Sequence, residues 1–201
     1  MVARRRTSQA NLCNRNGPEV AGQIEGFLRG KGYKKKGESV TEEIVRYGSG
    51  LVYLASSWQN KRHPEVVSAI RAAGFRVYDY RHEGFSWEKA DASDDPMSAE
   101  QMSKVLAHPE ATAGFGRDLL YLGAADVCVL LLPSGNSAHL ELGFVAGGGK
   151  PTAILMDGPA RPDLMYKVAD LLTEDLNEIL QWLKQKVPVA QQDQTILDAR
   201  D

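Results

Sequence analysis

The sequence predicts an α/β protein built on a parallel sheet of four to five strands, with helices wound onto both faces. Three observations carry this expectation. A strand, helix, strand unit fits into residues 51–80, about the thirty residues that a parallel crossover takes. A later run, Asp126 to Leu132, is apolar without alternation, as a strand covered on both faces should be. Helical and strand periodicities then keep alternating up to Lys186.

Taken in order, residues 1–17 are basic and polar and end on Asn16-Gly17, which reads as a disordered start. Pro18 can open a short helix carrying Ile24, Phe27 and Leu28 at helical spacing, with Gly30 and Gly32 as its stop. Thr41 to Tyr47 reads as another helical turn. Leu51–Ala55 is the first strand, ending at Ser56-Ser57. Pro64 to Ala73 is an amphipathic helix with Val66, Val67 and Ile70 inward and Gly74 as its stop. Phe75 to Tyr80 is the second strand. Residues 81–98 form a long irregular segment, of the kind that is usually functional or mobile. Helices follow at about 99–106 and 116–123, then the third strand at 126–132 and a helix from Ser137 to Ala146. Thr152–Met156 is the fourth strand, Val168–Leu172 a weak fifth, and Asp175 to Lys186 a closing amphipathic helix. The expected fold is a doubly wound, flavodoxin- or Rossmann-like sheet in the order 2-1-3-4-5. The expected organisation is a basic extension over 1–48, the α/β domain over 49–190 and a polar tail over 191–201.

Composition bounds the function classes. With 43% hydrophobic and 25% charged residues, the 201-residue chain can bury an ordinary globular core. No apolar stretch approaches membrane-spanning length, and no hydrophobic segment follows Arg4-Arg5-Arg6. Neither a membrane anchor nor a secretory signal is expected, which makes the cytoplasm the default compartment. Cys13 and Cys128 cannot frame a disulfide scaffold, and Cys128 reads as a buried thiol. Residues 1–50 carry ten Lys and Arg against five Glu, so the rest of this −2 chain is acidic. Such basic runs are usually solvated, and without an aromatic platform beyond Tyr33 nucleic-acid binding is not expected. His63, His82, His108 and His139 lack ligand spacing, so no metal is expected. No Gly-x-Gly-x-x-Gly follows the first strand, so no bound NAD or FAD coenzyme is expected either.

Ligands in doubly wound sheets bind outside the carboxyl ends of the strands, near a switch in strand order. Three loops qualify: Ser56–Asn60, Asp79–Trp87 and Pro133–Ser137. In the third, a buried strand gives way to Ser134-Gly135-Asn136-Ser137 and then a helix. Backbone N–H groups there, with the Ser134 and Ser137 hydroxyls, suit an anion; Ser137 is equally suited to be a plain N-cap. Glu141 lies one turn further, with apolar neighbours on nearly every side. Its carboxylate either faces the cleft or serves as an early-helix Glu favoured by the dipole or a salt bridge.

The run Ser137-Ala138-His139-Leu140-Glu141-Leu142-Gly143, continued to Gly149-Lys150-Pro151, resembles the Glu-Leu-Gly-Tyr-Ala…Gly-Lys-Pro signature of the nucleoside 2-deoxyribosyltransferase family. That family has relatives among the nucleotide N-glycoside hydrolases. Val52 to Trp58 resembles its first strand and base-contacting turn, and Ala125-Asp126-Val127-Cys128-Val129 its third-strand entry. Asp118, in Arg117-Asp118-Leu119-Leu120, falls at its helix aspartate. The likeness covers about residues 51–157, and Pro162–Lys167 also resembles proteins of this group.

The resemblance implies a retaining double displacement at an N-glycosidic bond, with Glu141 as nucleophile. It implies that Asp118 protonates or positions the leaving base, and that Tyr53 orients Glu141. Without it, Asp118 reads as a solvent-facing helix residue and Tyr53 as a core tyrosine. Ser56, Ser57 and Trp58 would contact the base, with Trp58 stacking. Asp79 would read base or sugar, or cap a turn. Phe85 and Trp87 would close over the base, or pin their loop. Family members acting on free nucleosides often carry an acidic residue before the glutamate. The neutral Ser134–Ser137 loop instead suits a nucleoside 5′-monophosphate and favours hydrolysis over base transfer. His139 would assist phosphate binding or proton transfer, or lie on the helix surface. A homo-oligomer is implied, because members complete their sites with neighbouring subunits. Two other readings are a glycohydrolase of a nicotinamide dinucleotide, like Toll/interleukin-receptor domains, and a non-catalytic nucleotide sensor signalling through residues 1–50.

Overall fold

Residues Leu51–Ala55 (β1) are buried at every position, which only a central strand covered on both faces achieves. The computed structural model describes residues 50–83, 85, 87–90 and 95–187, with Gly22, Glu25, Gly26, Arg29 and Gly30. The expectations for 1–17, for Thr41–Tyr47 and for the tail lie outside these residues. So do Ile24, Phe27, Leu28 and Gly32. Gly30, read as a stop, is itself helical, a position glycine tolerates at a cost of about 1 kcal/mol.

The chain divides into two compact units. Ser86–Ala124 falls in one with the amino-terminal residues, and Tyr47–Phe85 with Ala125–Asp201 makes the other. The second unit holds a five-stranded parallel sheet in the order β2-β1-β3-β4-β5, as the sequence predicts. After β1 come α1 (His63–Ala72), β2 (Arg76–Tyr78) and a single turn α2 (Tyr80–Glu83). Its remaining elements are β3 (Val127–Leu131), α5 (Asn136–Gly147), β4 (Thr152–Leu155), a 3-10 turn over Leu164–Val168, β5 (Leu171–Thr173) and α6 (Leu176–Lys186). The other unit holds a 3-10 turn over Trp87–Ala90, α3 (Ala99–Leu106) and α4 (Pro109–Ala124).

In-register pairing sorts the side chains onto two faces. Val52 pairs with Val77 and Val127, and Val129 with Ala153. These residues, with Leu54, Leu131 and Leu155, pack under Val66 and Ile70 of α1 and Ile179 and Leu183 of α6. That face is wholly apolar. The opposite face carries Tyr78, Tyr53, Cys128 and Thr152 in one row across four strands. It lies under α5, which packs on β1, β3 and β4. The sheet is therefore covered on both sides within this unit.

Local chemistry explains the element ends. Gly74 takes φ 92°, donating to Arg71 O at 3.0 Å while Phe75 N–H donates to Ile70 O at 3.3 Å. This Schellman closure ends α1 where the glycine predicts. Gly149, at φ 73°, ends α5 in the same way, with Gly149 N–H on Ala146 O and Lys150 N–H on Val145 O. In α3, Ser98 and Gln101 form a reciprocal capping box.

Several boundaries differ from the sequence reading. β2 stops at Tyr78, because Asp79 turns the chain and Tyr80 starts α2. α4 begins at Pro109 rather than near Gly116; Gly114 and Gly116 are buried inside it, where their small size outweighs their poor helix propensity. Val168 belongs to the 3-10 turn and β5 follows it, since Asp170 accepts from Thr152 N–H at 2.9 Å and sets the register there. Ser137 is not the N-cap of α5. Gly135 occupies that place without a side-chain cap. Among the described residues no helix is long and apolar enough to cross a membrane.

Candidate active site

The resemblance signature splits between the two ends of the sheet. At the amino ends, the Asp126 carboxylate accepts from Gly50 N–H at 2.7 Å and Leu51 N–H at 3.0 Å, tying the entry of β3 to the entry of β1. Lys150 donates to Ala125 O at 2.7 Å beside it. Burial lowers the Lys150 pKa, against the raising effect of the Asp126 charge. Asp126 and Lys150 are thus architectural. Glu141 belongs to the other end.

At the carboxyl ends, the segments after β1, β2 and β3 are braced against one another. Arg81 Nη2 donates to the carbonyls of Ser57, Trp58 and Asn60 at 2.9, 2.9 and 2.8 Å, fixing the turn after β1 from the segment after β2. Asn60 is buried; its amide donates to Pro133 O at 3.1 Å and its carbonyl accepts from Arg62 N–H at 2.9 Å. That places the turn after β1 against the loop after β3. Arg62 in turn reaches Asp157, just beyond β4, at 3.4 Å.

Asp79 is consumed by this scaffold. Its Oδ1 accepts from Arg81 N–H and from His63 Nε2–H, each at 3.1 Å. His63 is fully buried, and burial depresses its pKa despite the Asp79 hydrogen bond. The neutral ring therefore carries its proton on Nε2. Its edge meets the Tyr80 ring at 5.1 Å, and Trp58 meets Tyr80 from elsewhere at 5.2 Å, both near-perpendicular. Trp58 remains 54% exposed, which leaves much of its indole open to solvent.

Glu141 is half-buried on α5. Two groups register its charge. Burial raises the pKa of the Tyr80 hydroxyl, and Glu141 raises it further against Arg81 and Ser56. Burial also raises the Cys128 thiol, again with Glu141 adding to the shift. Cys128 is the register partner of Tyr53, whose ring lies 5.4 Å from that of Tyr78. Ser56 Oγ, Tyr80 OH and Arg81 Nε are all shielded from solvent, and Arg81 and Ser56 are the hydrogen-bonding neighbours of the Tyr80 hydroxyl.

The Ser134–Asn136 loop precedes α5, whose first N–H groups lack a side-chain cap. His139 accounts for its own position. Its Nδ1–H donates to Gly135 O at 2.9 Å, and Nε2 faces Tyr166 OH at 3.1 Å, the two rings stacking. His139 holds the loop and is not on the open helix surface.

Ser56, Ser57, Trp58, Asp79, Ser134 and Gly135 thus lie on the carboxyl-end loops of one unit and Asn136, His139 and Glu141 on the first half of α5, with Tyr53 buried in β1 and Ser137 exposed in the first turn of α5. Phe85 is half-buried at the edge of that unit. Trp87 and Asp118 belong to the other unit, Asp118 half-buried in the middle of α4. The sequence reading missed Asn60, His63, Tyr80, Arg81 and Tyr166. A Tyr-Arg pair directly after a strand's carboxyl end was the available signal for two of them. A half-buried carboxylate on the helix that follows a central strand of a parallel sheet can serve as a nucleophile or a general base.

No family model matches the chain, and no curated protein does either. Among solved structures, the chain is similar to a 2-deoxyribosyltransferase of the psychrotolerant bacterium Bacillus psychrosaccharolyticus. The identity is 22% and the TM-score 0.44, over 65% of this chain and 90% of that one. It is also similar to the Clostridium botulinum CMP N-glycosidase BcmB, at 17% identity and a TM-score of 0.37, over 67% of this chain and 98% of that one.

Proposed function

We propose that this chain breaks the N-glycosidic bond of a nucleoside 5′-monophosphate through a covalent glycosyl–Glu141 intermediate. The observation that carries the reading is the position of Glu141. It lies on α5, one turn beyond a loop that is bonded to the turn after β1 at the carboxyl ends of the strands. The sequence signature around Glu141 supports the same assignment.

In the first step a Glu141 oxygen bonds to C1′ as the C1′–N bond breaks, and the electron pair leaves with the base. The base takes up a proton as it leaves. Water then attacks C1′ and gives up one proton, replacing the one the base took, as the C1′–O(Glu141) bond breaks and the carboxylate is regenerated with configuration retained. A second base in place of water would give transfer. The uncapped N–H groups at the start of α5, with Ser134, are the proposed hold on the 5′-phosphate. Trp58 offers the base a stacking surface.

The test is base release from a panel of nucleosides and 5′-monophosphates, followed by chromatography. Glu141→Ala is expected to remove turnover by at least about a thousandfold, with unchanged unfolding midpoint. Full turnover in that variant would refute the reading.

A further inference from the structure

The loop between β3 and α5 is short of restraints of its own. Gly135 is exposed, a Cβ there would meet nothing within 4 Å, and no side chain caps the helix start. Two restraints reach it from neighbouring segments: Asn60 holds Pro133 O at 3.1 Å, and His139 holds Gly135 O at 2.9 Å. Since a carbonyl only accepts, His139 carries its proton on Nδ1, and the neutral ring presents a lone pair at Nε2. Tyr166 OH, 3.1 Å away, donates to that lone pair, and the two rings stack with centroids 5.8 Å apart. A chain of two hydrogen bonds thus runs from Tyr166 through the imidazole to the Gly135 carbonyl, each polarising the other.

Tyr166 is itself held from the sheet. It sits in the 3-10 turn Leu164–Val168, which the Asp163 carboxylate caps by accepting from Met165 N–H at 2.8 Å. Tyr166 N–H donates to Asp163 O at 3.2 Å, and Ala169 N–H to Tyr166 O at 3.1 Å. Thr152, fully buried in β4, donates its hydroxyl to Val168 O at 3.3 Å and ties the turn to the strand. With three residues per turn, only one of a consecutive three can face α5. Leu164 is 79% exposed and Met165 66%, whereas Tyr166 is half-buried against His139. Apolar burial alone would have turned the leucine or the methionine inward. The residue that faces α5 is instead the one with a hydroxyl to donate.

We infer that Tyr166 is a positioning residue for the Ser134–Asn136 loop, acting through the His139 imidazole, so that the segment after β4 sets how tightly a 5′-phosphate is held. The inference rests on that loop binding the phosphate, as proposed above. Ser134 belongs to the same assembly, its Oγ 3.5 Å from His139 Nδ1. Without the phenol's hydroxyl the imidazole keeps its stacking surface but loses the bond that fixes its rotation, and the Gly135 carbonyl loses its anchor to β4. Part of the binding free energy of a phosphate then goes into ordering the loop. A nucleoside without the phosphate makes no use of the loop and is indifferent to the change.

The experiment measures binding apart from turnover. Nucleoside 5′-monophosphates and the matching nucleosides are titrated calorimetrically into Glu141→Ala protein, alone and combined with Tyr166→Phe, His139→Asn or both. Phenylalanine keeps the stack without the hydroxyl; asparagine keeps a donor near the Nδ1 position without reaching Tyr166. For the base that binds, each single change is expected to weaken the monophosphate about three- to tenfold and the nucleoside by less than about twofold. The double variant is expected to bind no more weakly than His139→Asn alone, because Tyr166 acts through the imidazole. With Glu141 intact, Tyr166→Phe should raise KM for base release by the same factor and leave kcat within about twofold. Undiminished affinity, equal losses for nucleoside and monophosphate, or additive losses in the double variant overturn the inference. A phosphate-selective loss without base release overturns the proposed reaction and leaves the positioning role standing. Base release without such a loss does the reverse, and binding of no nucleotide overturns both.

Discussion

Replacing Arg81 with methionine keeps most of the side chain's bulk and removes its guanidinium from three carbonyls. Nη2 has two hydrogens and three acceptors at 2.8–2.9 Å, so at least one hydrogen is shared. Two effective bonds from a charged donor are worth about 1.5–3 kcal/mol each. The Trp58 carbonyl is exposed and can take water instead, whereas those of Ser57 and Asn60 are partly buried. The expected loss is therefore about 2–4 kcal/mol, mostly from the two shielded carbonyls. Urea unfolding of Arg81→Met against the parent measures the total. Hydrogen exchange locates it: the Asn60 N–H, bonded to Ser57 O at 3.0 Å, reports opening of the turn. That amide should lose protection by at least as much as the global free energy falls. A change below about 0.5 kcal/mol, with Asn60 exchange unaltered, would show that the turn after β1 does not need Arg81.

Two further predictions follow from burial. His63 has a folded pKa below its ordinary 6.5, chiefly because burial penalises the charged ring. Below about pH 6.5 the unfolded chain takes up a proton that the folded chain resists, so stability falls as pH falls and is level above that point. The slope is at most about 1.4 kcal/mol per pH unit, and His63→Gln should remove it; parallel stability–pH curves for the two proteins would refute the assignment. Cys128, buried and with its thiol pushed upward, should react with a thiol reagent only through opening of the sheet. In a Cys13→Ser background, native labelling is expected to be at least about a thousandfold slower than in denaturant, and fast native labelling would contradict the buried row.

The central strands were legible because β1, β3 and β4 are buried throughout and so read as unbroken apolar runs. The edges were harder. β5 pairs on one side only and leaves Leu172 51% exposed, so its apolar signal is weak and its boundary is set by the Asp170 carboxylate. Glu141, Trp58 and Asp79 could be placed because strand ends and a helix start locate them. Their partners could not. Asn60 acquires its role from Pro133, and Arg81 from the turn two dozen residues earlier. Such pairings arise only when the sheet brings distant loops together, and local composition carries no trace of them. His139 illustrates the difference: a helix position reads as surface until Tyr166 is seen to stack on it.

The Glu-Leu-Gly…Gly-Lys-Pro signature runs from Glu141, in the middle of α5, to Lys150 just past its end, fastened to Ala125. One helix therefore carries two kinds of selection in a single string of letters. With Glu141 as the proposed nucleophile, drift there changes what the molecule does, whereas drift at Lys150 changes whether it persists as a folded chain. A descendant that kept Lys150 and lost Glu141 would still fold and still fit most of the pattern. Such a chain would be a receptor cut from an enzyme's cloth, and only the identity of residue 141 would tell the two apart.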